Sequence, residues 1–232
     1  MHAPTSPHII QIQRNGPGYP ARLLDLCDPP HSLYIYGDIS LLNLPMIAIV
    51  GSRAASPEGI KNAHYFAQAL SAEGYLIVSG LAKGVDGAAH LGALGPNQDY
   101  PTVAVCGTGL DIVYPREHLR LAKAIAGVGL LVSELAPGLG PKPWHFPRRN
   151  RIIAALALGI LVIEAAERSG SLITDRLGCE HGREIFAIPG SIHNPLSRGC
   201  HQLLQQGAKL VQSPNDILEE LPKWSKTAFK AI

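Results

Sequence analysis

Seven short apolar runs, each rich in branched residues, recur along the chain with starts 24 to 31 residues apart. They begin near Ile47, Leu76, Thr102, Gly129, Ile160, Glu184 and Lys209. That interval holds one strand, one helix and two short loops. The runs are continuously apolar, whereas a strand with one wet face would alternate, so helices must cover both faces. A series of such units predicts an α/β fold, a doubly wound and mostly parallel sheet.

Local punctuation places the helices. Ser56 and Pro57 read as N-cap and first-turn proline of a helix that Gly74 stops after Glu73. Pro147 is expected to open a helix running through Arg151 to Leu158, with Gly159 as its stop, and Gly127 and Gly182 to end two more. Residues 1–45 are proline-rich and read as a lead-in packing on the core, residues 46–222 as the core domain, and 223–232 as a tail or the start of a linker.

Composition removes several classes. With 46% apolar and 16% charged residues in a chain of 232, wholesale disorder is excluded. The longest uncharged apolar run, Ile152 to Ile163, has 12 residues, against about 20 for a membrane span. The first ten residues lack the basic-then-apolar pattern of a secretory signal. A soluble, cytoplasmic protein without a membrane partner is expected. Net charge is only +2, so any anion site must come from local clustering. The four cysteines form no C-x-x-C pair, and Cys179, His181, His193 and Cys200 fit no usual zinc spacing, so no metal is expected.

Ligands of such sheets bind beyond the carboxyl ends of the strands. The loops there are Gly51-Ser52-Arg53, Ser79 to Gly84, Gly107-Thr108-Gly109, Ser133 to Pro147 and Ser169-Gly170-Ser171. Short glycine turns let backbone N–H groups approach an anion. The dinucleotide fingerprint, the P-loop and the G-x-S-x-G elbow are all absent. From Leu135 to Ile163 there are no acids but four bases, Lys142, Arg148, Arg149 and Arg151, interleaved with Trp144, His145 and Phe146. Cations beside aromatics suit single-stranded nucleic acid, and a basic first turn opposes the helix dipole unless a polyanion compensates. The plainer alternative makes Trp144 and Phe146 core plugs. Asp86 and His90, four apart on one helix, could pair or act as acid and base, but a contact holding the Lys83 loop is favoured. Glu134 and Glu164 end strands and could anchor the arginines.

Five strings carry a resemblance: IVGSRAAS (49–56), SGLAKGVDGAAHLGAL (79–94), HFPRRNRIIAAL (145–156), SGSLIT (169–174) and GREIFAIPGSI (182–192). Together they resemble the DNA-processing protein A family, also called DprA or Smf, over roughly Tyr19 to Leu221. The resemblance implies an extended Rossmann-like core that binds single-stranded DNA in natural transformation, protects incoming strands, loads the RecA recombinase and acts as a homodimer. It implies no enzymatic activity, no catalytic residue and no cofactor. It puts DNA contacts on Gly51, Ser52, Arg53, Gly80, Lys83, Lys142, Phe146, Arg149, Asn150, Arg151, Ser169, Gly170, Ser171, Leu172 and Thr174. Many members add a C-terminal winged-helix module and an N-terminal helical module. The expectation here is the core without the former and at most a remnant of the latter. Asp175 departs from the small residue the pattern favours. The alternative is a Rossmann-like nucleotide phosphoribohydrolase, whose P-G-G-x-G-T-x-x-E site does not match residues 169–175.

Overall fold

The computed structural model describes residues 8–95, 101–167 and 182–222. Its centre is a nine-stranded sheet, with strands numbered in chain order as β1 (Ile10–Gln13), β2 (Ser32–Gly37), β3 (Met46–Val50), β4 (Leu76–Ser79), β5 (Thr102–Val105), β6 (Leu130–Ser133), β7 (Gly159–Val162), β8 (Glu184–Ala187) and β9 (Lys209–Leu210). The order across the sheet is β1-β2-β6-β5-β4-β3-β7-β8-β9. From β6 to β9 every pairing is parallel, while β2 joins β6 and β1 joins β2 antiparallel. All seven runs are strands. The lead-in does more than lie on the sheet, because β1 and β2 extend it.

Six helices of the described residues are α1 (Pro57–Ala72), α2 (Val85–Ala93), α3 (Leu119–Val128), α4 (His145–Leu156), α5 (Arg198–Gln205) and α6 (Pro214–Leu218). Alternate side chains of one strand enter different layers. Met46, Ala48 and Val50 join a core with α4 and α5, while Ile47 and Ile49 join one with α1 and α2. That two-sided burial is why the strand sequences do not alternate in polarity. Among the described residues no helix is long and apolar enough to cross a membrane.

Three helix boundaries differ from expectation. Helix α4 starts at His145, two residues before Pro147. Proline is harmless there, because first-turn N–H groups have no intrahelical partner anyway. The chain leaves α4 at Ala157 and enters the sheet before Gly159, with Leu158 N–H donating to the Met46 carbonyl at 2.8 Å. Gly159 therefore opens β7, and a side chain there would meet the Phe186 ring. Gly127 lies within α3, which continues to Val128 and is capped at Gly129. The α1 expectation holds: Ser56 Oγ accepts from Gly59 N–H, with Pro57 in the first turn.

Candidate nucleic-acid interface

Strand order reverses between β3 and β7, because the chain builds β3 to β6 to one side and then returns across β3. Open α/β sheets bind ligands at the carboxyl end of such a switch point. The loop after β3, Gly51-Ser52-Arg53, sits there. Ser52 N–H donates to the Glu164 carbonyl beyond β7 at 2.8 Å, and Val85 N–H donates to the Ser52 carbonyl at 3.2 Å. Gly84 has φ +73°, and a Cβ on it would lie 2.2 Å from the Ser52 carbonyl oxygen. Only glycine lets these two loops close on each other.

Beside that contact is a cavity of about 70 Å³ lined by Arg53, Gly80, Ala82, Lys83, Tyr114, Pro115 and Phe146. The Phe146 ring is half-buried and lies against Gly107, where a Cβ would approach within 2.8 Å. The Arg53 guanidinium stands 5.1 Å from its centroid, and the Tyr114 ring 5.4 Å, tilted by 40°. Phe146 is thus neither a core plug nor free in solvent. It forms the wall of a cationic, aromatic pocket. Nearby, Lys142 Nζ lies 5.4 Å from the Trp144 ring centroid, and Trp144 is 63% exposed.

The predicted cations fall into three groups. Arg53 and Lys142 are exposed and form no ion pair among the described residues. Lys83 is exposed but donates to Glu117 Oε1 at 2.7 Å. Arg149 and Arg151 are buried. Arg149 Nη1 donates to the carbonyls of Gly80 and Val105, and its Nε to Asn150 Oδ1 at 3.0 Å. Arg151 Nη2 pairs with Glu134 Oε1 at 2.5 Å, while exposed Arg148 reaches the same oxygen at 3.1 Å and Asp28 at 3.6 Å. The stretch that is acid-free in sequence is therefore partly neutralised in space, and its first turn is electrostatically satisfied by the protein itself. Ser169, Gly170, Ser171, Leu172 and Thr174 lie outside the described residues.

The buried acids are occupied structurally. Asp86 Oδ2 accepts from Gly80 N–H at 3.1 Å and Ala82 N–H at 3.3 Å, which holds the Lys83 loop. Burial pushes the Asp86 carboxyl above its usual range, and Arg149 and those two N–H donors pull it back. Asp86 and His90 do not pair. The imidazole contacts Thr102 Oγ1 at 2.8 Å, and that hydroxyl donates to the Ile77 carbonyl, so Nδ1 is the protonated nitrogen. Among the described residues Glu164 pairs with no arginine. Its carboxylate accepts from Ser56 N–H at 2.9 Å and Ser56 Oγ–H at 2.6 Å, at the start of α1. Burial pushes the Cys106 thiol up to about 11, so it is no nucleophile at neutral pH. Among the described residues no three His, Cys, Asp or Glu side chains gather to hold a metal.

Sequence reasoning did not single out Tyr114 or Glu117. Both follow the Gly107-Thr108-Gly109 turn, and only the fold brings that loop against Phe146 and Lys83.

Fold and site together define a Rossmann-like α/β protein with a cationic, aromatic pocket at the carboxyl edge of its sheet. The chain belongs to the DNA recombination-mediator protein A family, whose model matches residues 11–222. It is 50% identical over 202 residues to DNA processing protein DprA of Streptococcus pneumoniae, covering 87% of this chain and 71% of that one. It is 48% identical over 204 residues to protein Smf of Escherichia coli, covering 88% of this chain and 54% of that one. The crystal structure of the pneumococcal DprA superposes with a TM-score of 0.88 over 92% of this chain and 75% of that one, at 47% identity. DprA from Helicobacter pylori, for which a single-stranded DNA binding mode is described, superposes with a TM-score of 0.81 over 96% of each chain at 29% identity.

Proposed function

We propose that this chain binds single-stranded DNA along the carboxyl edge of its sheet, without strong base preference. The observation that carries the reading is the Arg53–Phe146–Tyr114 arrangement around one small cavity. A guanidinium meets a phosphate, and a ring face accepts any base, because every base has a π-face. Arg53, Lys142 and Lys83 serve as phosphate contacts, Gly51, Ser52 and Gly80 supply close backbone approach, and Phe146 stacks. Arg149, Asn150 and Arg151 act from behind by fixing the loops. Family membership supports the wider reading: a cytoplasmic, homodimeric mediator of natural transformation that protects incoming strands and loads the RecA recombinase, with no turnover of its own.

The test is a titration against single-stranded and duplex oligonucleotides of one length at two salt concentrations. Tighter binding of the single strand, weakening steeply with salt, is expected. Equal affinity for both forms would overturn the proposal.

A further inference from the structure

Among the cations lining the cavity, Lys83 is the one that already holds an anion of the protein's own. Its ammonium donates to Glu117 Oε1 at 2.7 Å, with the two side chains 55% and 64% exposed. Glu117 stands two residues beyond Pro115, in a short 3-10 turn, Arg116–His118, that follows the cavity wall. Both partners sit beside residues that are held in place. Asp86 holds the loop before Lys83 through Gly80 and Ala82, and His118 Nδ1 contacts the Leu81 carbonyl at 2.9 Å. Leu81 itself sits at φ +58°, a conformation that side chains adopt only when surroundings impose it. The carboxylate is therefore delivered to the ammonium by two braced loops.

An exposed pair of this kind contributes little to folding. Its position matters more, since it fills one of the few cation sites at an edge otherwise suited to phosphate. We propose that Glu117 is a specificity-determining residue: its carboxylate competes with phosphate for Lys83, so that an incoming strand must exchange one anion for another there. A simple polyanion gains almost nothing from that exchange. A strand that also stacks a base on Phe146 gains the stack, and the lysine's flexible four-carbon stem lets the ammonium follow the phosphate. The lowered Glu117 pKa, caused first by the hydrogen bond from Lys83, agrees with a carboxylate that stays charged at neutral pH.

This inference rests on the single-strand reading above and is tested by a gain in affinity. Glu117→Gln should tighten single-strand binding about three- to fivefold at low salt, the scale of an exposed pair. The salt slope should stay within about 0.7 of the wild-type value, because Lys83 meets its phosphate in both proteins. In a Lys83→Ala background the same substitution should yield a clearly smaller gain. Unchanged or weaker binding by Glu117→Gln overturns the inference while leaving the single-strand reading intact. An equal gain in both backgrounds also overturns it, because the effect is then general repulsion. A wild-type protein that binds no strand overturns both.

Discussion

The Arg53 guanidinium lies 5.1 Å from the centroid of the Phe146 ring, joining the loop at the sheet's switch point to the first turn of α4, 93 positions further along the chain. The pair closes one side of the cavity and puts a cation and an aromatic ring beside the same small volume. If a strand uses both, the two residues should fail in different ways. Arg53→Ala should lower the salt slope by about 0.7, and Lys142→Ala likewise, each having lost one phosphate. Phe146→Ala should leave the slope unchanged yet cost about 1–3 kcal/mol of binding. Binding isotherms at several salt concentrations check this. Unaltered slopes for both cation variants would remove the phosphate assignment.

Arg149 is expected to behave as a structural residue. Its guanidinium satisfies the Gly80 and Val105 carbonyls inside the protein, so Arg149→Leu leaves both without their donor. At about 1–3 kcal/mol for each buried unsatisfied group, a loss of about 3 kcal/mol in unfolding free energy is expected. Gly80→Ala should mimic it, since a Cβ there would lie 2.3 Å from Arg149 Nη2. Urea denaturation of both single variants and the double variant gives the comparison, with the double falling well short of additivity. An Arg149→Leu protein of normal stability that has lost binding would place the side chain on the strand instead.

The parallel strands were legible because burial on both faces leaves continuous apolar runs that recur at a regular interval along the chain. The antiparallel strands β1 and β2 were not. Ile10–Gln13 alternates in polarity, and Ser32–Gly37 sits among prolines, so neither carries the two-sided signature. The cationic segment was legible as composition but not as geometry. Arg149 finds its partners 69 and 44 residues away, and Arg151 finds Glu134 17 residues away. Whether a given arginine faces solvent or a carbonyl depends on those distant contacts. Tyr114 and Glu117 carry no local mark at all.

A pH dependence of stability should trace to His90. Burial drives its pKa from 6.5 down to about 3, with the positive charges of His118 and Arg149 adding to the effect. Between those two values the unfolded chain binds a proton that the folded protein refuses. Stability is therefore full above about pH 6.5 and declines as pH falls toward 3, by at most about 1.4 kcal/mol per unit. His90→Gln should flatten that part of the profile relative to wild type. Parallel profiles for the two proteins between pH 6.5 and 4 would rule out the assignment.

Trp144 offers the cleanest separation of stacking from folding. It precedes α4, is 63% exposed, meets the His145 ring edge-on at 5.8 Å between centroids, and lies 5.4 Å from the Lys142 ammonium. Its removal should leave the melting temperature within a degree or so, since the side chain is exposed and, although Trp144 is the N-cap residue of α4, makes no capping hydrogen bond. If a strand that stacks on Phe146 continues past Lys142, a base reaches the indole, and Trp144→Ala weakens binding by about 1 kcal/mol with no change in salt slope. The chain has two tryptophans, so a Trp224→Phe background leaves Trp144 as the single tryptophan, excited selectively beyond the tyrosine absorption. Quenching of its fluorescence by a single-stranded oligonucleotide, saturating together with binding, is the expected result. A strand that binds fully while the emission and the Trp144→Ala affinity stay unchanged would show that the path leaves Phe146 in another direction.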